Sequence, residues 1–495
     1  MSARFQVPRE NHRFLAVPPR DQWPETVRIN RQRLVQPAQL TDLRKQLHQE
    51  LFSLLLAENP TAPAEAISLL RRACDDQIPM ILTGHQPELF HPGVWVKNFA
   101  TQALAQDVGG IGLHLIVDND TVKSTELRLP VWPGDDLSSV RIVSLPFDRP
   151  GMEMPYELRQ IQDLDCFLSF PQRVAAMTAN WGYEPLLRRL WPTQPPAQDF
   201  TLSRCFVHMR RGCEQAWGCV NWELPVSVLA KTAAFAQFVD RIVADLPRFQ
   251  QVYNASVLAY RRRYRIRSQH HPVPLLDSDE APFWGPASES GRRGRLQRSR
   301  ACPRDAVRPR ALTLTLFARV FLGDFFIHGI GGGKYDEVTD AIIRDYYHLD
   351  PPGYGVLSAT LFLPLPQLPI PEPDSRKLKQ QYRDLIWNPQ RYVDDAEEIK
   401  AKKEWLIRHE PQDRRARRGW FQELRATTEQ LRARLAEPLA TIESTLASAQ
   451  VLEEAQRRLC RRDFSWILYP EAELKPFLQS FAMPEMAPAT RVICQ

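Results

Sequence analysis

Ile81-Leu82-Thr83-Gly84-His85-Gln86-Pro87-Glu88-Leu89-Phe90-His91-Pro92-Gly93, running on into Val94-Trp95-Val96-Lys97-Asn98, decides how the rest of the chain is read. The apolar run from Pro79 to Leu82 reads as a buried strand. Thr83-Gly84 turns the chain, and Pro92-Gly93 open a helix through about Ala105. A first-turn proline lacks only an N–H that would have had no helical partner. A strand passing through a tight turn into a helix aims free N–H groups and a positive dipole end at one spot, which suits phosphate or carboxylate. His85, Gln86, Glu88, His91 and Lys97 crowd this segment, and polar side chains there have no packing role. Open parallel sheets bind ligands at strand carboxyl ends, so the segment reads as a ligand site.

Outward from it, apolar strands alternate with helices: strand 79–83, helix 93–106, strand 111–117 and a strand from Val140 to Leu145. Such a series implies a parallel sheet covered by helices. Residues 155–263 read as mostly helical, with apolar spacing around Leu202 to Trp217 and Phe235 to Leu246. Short strands return at Val273 to Leu276 and Pro282 to Trp284. The run Ala311 to Leu322, a strand at Phe325 to His328 and a helix from near Lys334 to Tyr347 follow. The expected class is α/β, one mainly parallel sheet assembled from 76–150 and 265–365. The core would span 76–365, with a helical insert at about 155–263.

Residues 1–75 read as a Pro- and Arg-rich arm followed by a helix, in which Leu43, Leu47, Leu51, Leu54 and Leu55 make one apolar face. The run 288–310 carries Arg292, Arg293, Arg295, Arg298, Arg300, Arg304, Arg308 and Arg310 and is nearly free of apolar residues. It reads as a mobile, solvated loop, the functional alternative being an anion-gripping flap, which lacks the aromatic platform of a single-strand nucleic-acid binder. Residues 366–374 read as a Pro-rich linker. Across 375–470 the chain is charged and helical. Leu424, Leu431, Leu435, Leu439, Ile442, Leu446 and Leu459 form a heptad-like stripe, interrupted at Pro438, that argues for a C-terminal helical coiled-coil hairpin. The stripe is wider than one partner helix needs, so a homodimer is expected. Residues 471–495 are a tail.

Asp118, Asn119 and Asp120 follow directly on the apolar strand Ile111 to Val117. They could anchor an amine or hydroxyl, act as a general base or hold Mg²⁺ weakly, although turn chemistry explains such a run about as well. His85 sits one residue past the turn glycine, and an unperturbed imidazole pKa of ~6.5 lets it exchange a proton near neutrality. His85, Asp118 and Asp120 are therefore the candidate catalytic residues, with Gly84, Gln86, His91, Lys97 and Asn119 as ligand contacts. Gly329-Ile330-Gly331-Gly332-Gly333-Lys334 is no phosphate loop, because Tyr335 stands where Ser or Thr is needed. Its glycines still permit close backbone approach, so His328, Gly331, Gly332 and Lys334 join the contacts. The spacing of Cys205, His208, Cys213 and Cys219 does not match zinc sites. Leu202, Cys205, Phe206, Met209, Cys213 and Trp217 trace one helix face instead, and no metal is expected.

Thr83-Gly84-His85-Gln86 and the helix carrying Lys97 resemble the Thr-Gly-Gln-Gln segment of the bacillithiol-synthesis cysteine-adding enzymes. Leu113-His114-Leu115-Ile116-Val117-Asp118-Asn119-Asp120 resembles that family's acidic strand end, and Phe326 to Tyr335 its late strand with a glycine-rich turn. The order holds over roughly residues 75–470. The resemblance implies a Rossmann-like domain with a long helical coil, self-association, and ligase-like joining of an amino acid, cysteine in that family, to an amine of a small sugar-like acceptor. His85 stands where the family has Gln, and the 118–120 turn is less histidine-rich, so the substrate is the part not fixed.

Composition bounds the rest. A 43% apolar fraction is ample for a large core, and a net charge of +6 on 495 residues suits an anionic small molecule without implying nucleic acid. No run approaches the ~18 apolar residues of a membrane span. Met1-Ser2-Ala3-Arg4-Phe5 lacks an apolar signal core, and no Cys-x-x-Cys pair occurs, so a cytoplasmic setting fits. Two neighbouring readings stand beside the ligase. One is a nucleotide-dependent Rossmann-like transferase, a nucleotide being the one cofactor class suggested. The other is a non-catalytic scaffold dimerising through the hairpin. A catalytic cleft requires the turns at Gly84, Asp118 and Gly331 on one sheet edge; a scaffold does not.

Overall fold

Segments that are apolar without alternation are buried on both faces, and here they pair in parallel. The structure is a computed structural model describing residues 5–34, 38–151, 153–194, 201–299, 302–369 and 372–482. Its central sheet has six strands: β1 (Arg13–Val17), β2 (Met80–His85), β3 (Ile111–Ile116), β4 (Trp222–Pro225), β5 (Phe325–His328) and β6 (Gly355–Thr360). The order across the sheet is β1-β6-β5-β2-β3-β4. All neighbours are parallel except β1, which runs antiparallel to β6 with Arg13 opposite Thr360. The result is a mainly parallel α/β sheet consistent with a Rossmann-like fold.

The helices that set the site are α1 (Ala38–Glu58), α2 (Pro92–Asp107), α3 (Leu202–Ala216), α4 (Ala233–Ala244), α5 (Ala311–Phe317) and α6 (Ile330–Tyr347). One face of the sheet, with Met80, Leu82, Leu113, Leu115, Leu224 and Phe326, packs on α1, α4, α5 and α6 in a single core. There Leu43, Leu47, Leu51 and Leu55 are buried and Leu54 is partly so. The α2 helix takes the other face. It is buried nearly all round, its polar Lys97, Asn98 and Thr101 included, and Trp95 lies 4.6 Å from Trp466 and 5.3 Å from Trp217.

Several expectations are corrected. The sheet does not draw only on 76–150 and 265–365, because β1 comes from the N-terminal arm and β4 from the helical insert. Arg141–Pro146 pairs with Glu126–Val131 in a separate two-stranded sheet. Glu280–Ala287 joins Arg293–Gln297 and Arg308–Pro309 in a small antiparallel one, and 273–276 is no strand. The described part of 288–310 is not a free loop either. Arg293 and Arg308 reach Glu157 at 2.6 and 3.0 Å, and Arg310 reaches Glu280 at 2.6 Å. Buried carboxylates from distant segments order an arginine run that composition alone leaves solvated. The glycine-rich turn is helix: Gly329 caps α6, and Gly331, Gly332 and Gly333 lie in its first turn.

By its contacts the chain divides into two units, one of residues 1–129, 144–364 and 462–495, the other of 130–143 with 365–461. Among the described residues the second unit holds four α-helices rather than a single hairpin: α7 (Ser375–Trp387), α8 (Glu397–Arg408), α9 (Arg414–Ala433) and α10 (Ala436–Leu459). α7 packs on α10 and α8 on α9. Pro438 is tolerated in the first turn of α10, where it forfeits no helical bond. Within this unit Leu431, Leu435 and Leu459 are buried, while Leu424, Leu439, Ile442 and Leu446 are half-buried. Among the described residues no helix is long and apolar enough to cross a membrane.

Candidate functional site

The parallel strands run β6-β5-β2-β3-β4, so the chain builds outward from β2 to one side and from β5 to the other. The order reverses between β2 and β5. At such a switch point the connections leave on opposite faces, and a crevice opens beyond the strands' carboxyl ends. His85 closes β2, His328 closes β5, and the 118–120 turn follows the neighbouring β3. The turns after β5, β2 and β3 thus share one edge, the arrangement a catalytic cleft requires.

His85 is half-buried, its ring set edge-on to Phe90 at 5.0 Å. Its Nδ1 lies 2.9 Å from the Gln86 carbonyl oxygen. A carbonyl only accepts, so Nδ1 carries the proton and Nε2 keeps its lone pair. Burial, then the nearby Lys97 charge, holds the imidazole well below its usual pKa. Lys97 itself is 2% exposed and donates from Nζ to the Gly84 carbonyl at 3.0 Å. No carboxylate among the described residues pairs with it, and burial lowers its pKa to about 8.

Two further donors complete a basic group. His91 caps α2 without a side-chain capping bond, and its buried Nδ1 has no partner among the described residues. Burial and the neighbouring Arg462 push its pKa down to about 3. Arg462 contacts His91 Nε2 at 3.4 Å and donates to Ser358 Oγ at 3.0 Å, leaving a buried Nη1 unpartnered among the described residues. Gly93 allows this approach, since a Cβ there would meet the Ala359 carbonyl oxygen at 2.0 Å and Arg462 Nη2 at 3.0 Å.

Beside these donors stands an acidic pair. Gln86 Nε2 donates to Asp120 Oδ2 at 2.7 Å, tying the turn after β2 to the turn after β3. Glu88 hydrogen-bonds Tyr156, lies 3.9 Å from Lys123, and has its pKa raised by burial and by Asp120. The arrangement can hold an anion on one flank and an ammonium or hydroxyl on the other, with the His85 lone pair on the same turn.

Other predicted residues are committed elsewhere. Asp118 accepts from both Ser227 N and Ser227 Oγ, and burial lifts its pKa to about 6 against those two bonds. Asn119 donates to the Pro309 carbonyl at 2.8 Å, with its own buried oxygen unpartnered among the described residues. His328 stacks on Phe326 at 4.2 Å and puts Nε2 2.6 Å from Asp336. Burial alone would raise Asp336, but His328 and Arg319 hold it below the usual carboxylate range. Gly331 faces open space and Lys334 is exposed. A Cβ on Gly332 would come 2.9 Å from His328 Nδ1.

Sequence reasoning missed Arg462, Ser227, Tyr156, Glu157 and Asp336. Arg462 is remote in the chain, within a run of arginines that gives no sign of which one turns inward. Ser227 had a faint signal, an alcohol directly after Leu224-Pro225-Val226. Cys205 and Cys213 lie buried on the inner face of α3, with pKa values lifted to about 12 by burial. No group of three or more His, Cys, Asp or Glu among the described residues could hold a metal ion.

Comparison with known proteins leaves this geometry to stand by itself. No family model and no curated protein matches the chain. Among solved structures, the tryptophanyl-tRNA synthetase of Plasmodium falciparum aligns over 88% of this chain and 95% of its own, at 10% identity and a TM-score of 0.21. A score that low transfers neither fold nor activity.

Proposed function

We propose that the chain is a ligase-like enzyme that binds an amino acid and forms a carbon–nitrogen bond between its carboxyl carbon and the amine of a small, sugar-like acceptor. The observation that carries this reading is the buried Lys97, with no carboxylate partner among the described residues, beside His91 and Arg462 at the switch point. A buried ammonium without a carboxylate, beside His91 Nδ1 and Arg462 Nη1 left unpartnered among the described residues, is costly unless an anion completes the group. Lys97, His91 and Arg462 hold the carboxylate or an attached phosphate. Asp120 and Glu88 receive the ammonium or a hydroxyl. The neutral His85 accepts the proton that the attacking amine must lose. Asp118 acts by fixing the strand-end turn through Ser227, and the exposed Lys334 and open Gly331 form the far lip.

Amide formation from a free carboxylate releases water and needs the carboxylate activated, so a nucleoside triphosphate is the co-substrate this reading calls for. The test incubates the chain with MgATP, each proteinogenic amino acid and glucosamine, with mass spectrometry for a product equal in mass to both partners less one water. Phosphate or pyrophosphate is measured in parallel. Product that disappears in Lys97→Met and Arg462→Gln supports the proposal. Absence of product, together with unchanged melting in every amino acid and in phosphate, would sink it.

A further inference from the structure

The modest charge of the whole chain conceals a local concentration in the second unit. Along α7 and the turn after it runs an open groove of about 1040 Å³, lined by Arg376, Lys377, Lys379, Arg383 and Arg391 with Asp384 as its one acid. Asp384 is occupied, accepting from Tyr392 Oη at 2.6 Å, Asn388 Nδ2 at 2.7 Å and Arg391 at 3.2 Å. Arg376, Lys377, Lys379 and Arg383 are exposed and pair with no carboxylate among the described residues. Arg376, Lys379, Arg383 and Trp387 recur at helical spacing, which draws a stripe about 16 Å long.

Two rings stand in the same groove. Trp387 is 66% exposed and Tyr392 44%. The helix's apolar residues Leu378 and Leu385 are buried, so these rings are not the fringe of a core left uncovered. Tyr392 is pinned through its hydroxyl to Asp384, and the Trp387 carbonyl accepts from Lys403 Nζ at 2.8 Å, which fixes the end of α7. Cations in a row beside two exposed rings, that of Tyr392 held by its hydroxyl, supply what the arginine run at 288–310 lacked.

We propose that the groove along α7 binds single-stranded nucleic acid, with phosphates along Arg376, Lys379 and Arg383 and a base stacked on Trp387. Arginine forks match phosphate oxygens, and an exposed indole offers a platform to any base. A duplex keeps its bases stacked on one another and gains nothing from the ring. A membrane requires a continuous apolar face to insert, and this one offers two rings among five cations. The inference is independent of the amide-forming reading.

The test is fluorescence anisotropy of the full chain with a labelled oligouridylate of about 20 nucleotides, a length that spans one such site. Binding should weaken with salt, with a log–log slope of about −2 to −3 for the phosphates neutralised. Trp387→Ala should weaken binding about tenfold or more at an unchanged slope, because stacking releases no counter-ion. Lys379→Glu with Arg383→Glu should weaken it and flatten the slope. Circular dichroism checks that both variants stay folded, and Arg28→Glu with Arg33→Glu serves as a charge control in the other unit. The proposal is overturned by no binding at about 50 mM salt, by Trp387→Ala binding as wild type, or by a blunt duplex or heparin competing as well as the single strand. Preference for phosphatidylserine vesicles over the oligonucleotide overturns it too.

Discussion

The Lys97 ammonium ends 3.0 Å from the carbonyl oxygen of Gly84, and these two residues join the second turn of α2 to the carboxyl end of β2. One carbonyl is poor recompense for burying a full charge, and the lowered pKa of about 8 measures the shortfall. A lowered lysine pKa favours the neutral form in the folded state, so folding is penalised below about pH 8, and the penalty fades as pH rises to 10.5. Lys97→Met should therefore stabilise the protein at pH 7 by roughly 1–3 kcal/mol, less than the full linkage because the Gly84 bond goes too. Chemical denaturation at pH 7 and pH 10 should show the gain shrinking with pH. Inorganic phosphate should no longer raise the melting temperature of the variant.

His91 gives a handle of the same sign in a more acidic window. Its pKa is about 3 in the folded chain against 6.5 unfolded, so its contribution is complete above pH 6.5 and is lost as pH falls toward 3. His91→Phe removes a group that must charge on unfolding, and its acid-unfolding midpoint should shift to lower pH. An unchanged midpoint would mean that His91 is already solvated.

Asp118 is held for structure through Ser227, and its raised pKa makes the protonated form the better one in the fold. Stability tied to it is present below about pH 4 and lost as pH rises through about 6. Asp118→Asn should accordingly gain on wild type across that window, while Asp118→Ala, which orphans the Ser227 N–H, should cost about 1–3 kcal/mol. Equal pH profiles for wild type and Asp118→Asn would count against the burial described.

The α6 glycines separate packing from ligand approach. Gly331→Ala adds a methyl in open space and should raise stability by about 0.5–1 kcal/mol, the helix preference of Ala over Gly. Gly332→Ala must push His328 aside and should lose that gain. If Gly331 lies where a substrate approaches, its alanine variant is more stable yet slower, with KM raised more than kcat is lowered. Unaltered kinetics in Gly331→Ala would remove α6 from the binding edge.

The central βαβ unit was legible from Pro79 to Val117 because strand, turn and helix there obey local rules. A buried strand is continuously apolar and a first-turn proline costs nothing, but Thr83-Gly84, read as the turn, continues β2 to His85 with Gly84 opposite Leu115. The apolar faces of α1 and α3 were legible for the same reason. Arg13–Val17 and Trp222–Pro225 escaped, since an edge strand of four or five residues carries too few side chains to show a period. The glycine-rich stretch read as a turn because glycine disfavours helix, but packing on β6 outweighs that small preference in α6.

The sequence by itself determined that a parallel α/β core lies behind the Thr83–Lys97 segment and that polar groups gather at its strand end. Only the tertiary structure decided which of them face one another. Strand order set the switch point between β2 and β5, and the return of the chain at residue 462 brought Arg462 to His91. Ser227 claimed Asp118, and Asp336 claimed His328. Each of these pairings joins residues through space, and in most of them the partners lie far apart in the chain. Helix and strand periods are local, written within a few residues, whereas the partner of a buried charge is fixed by how the completed layers pack.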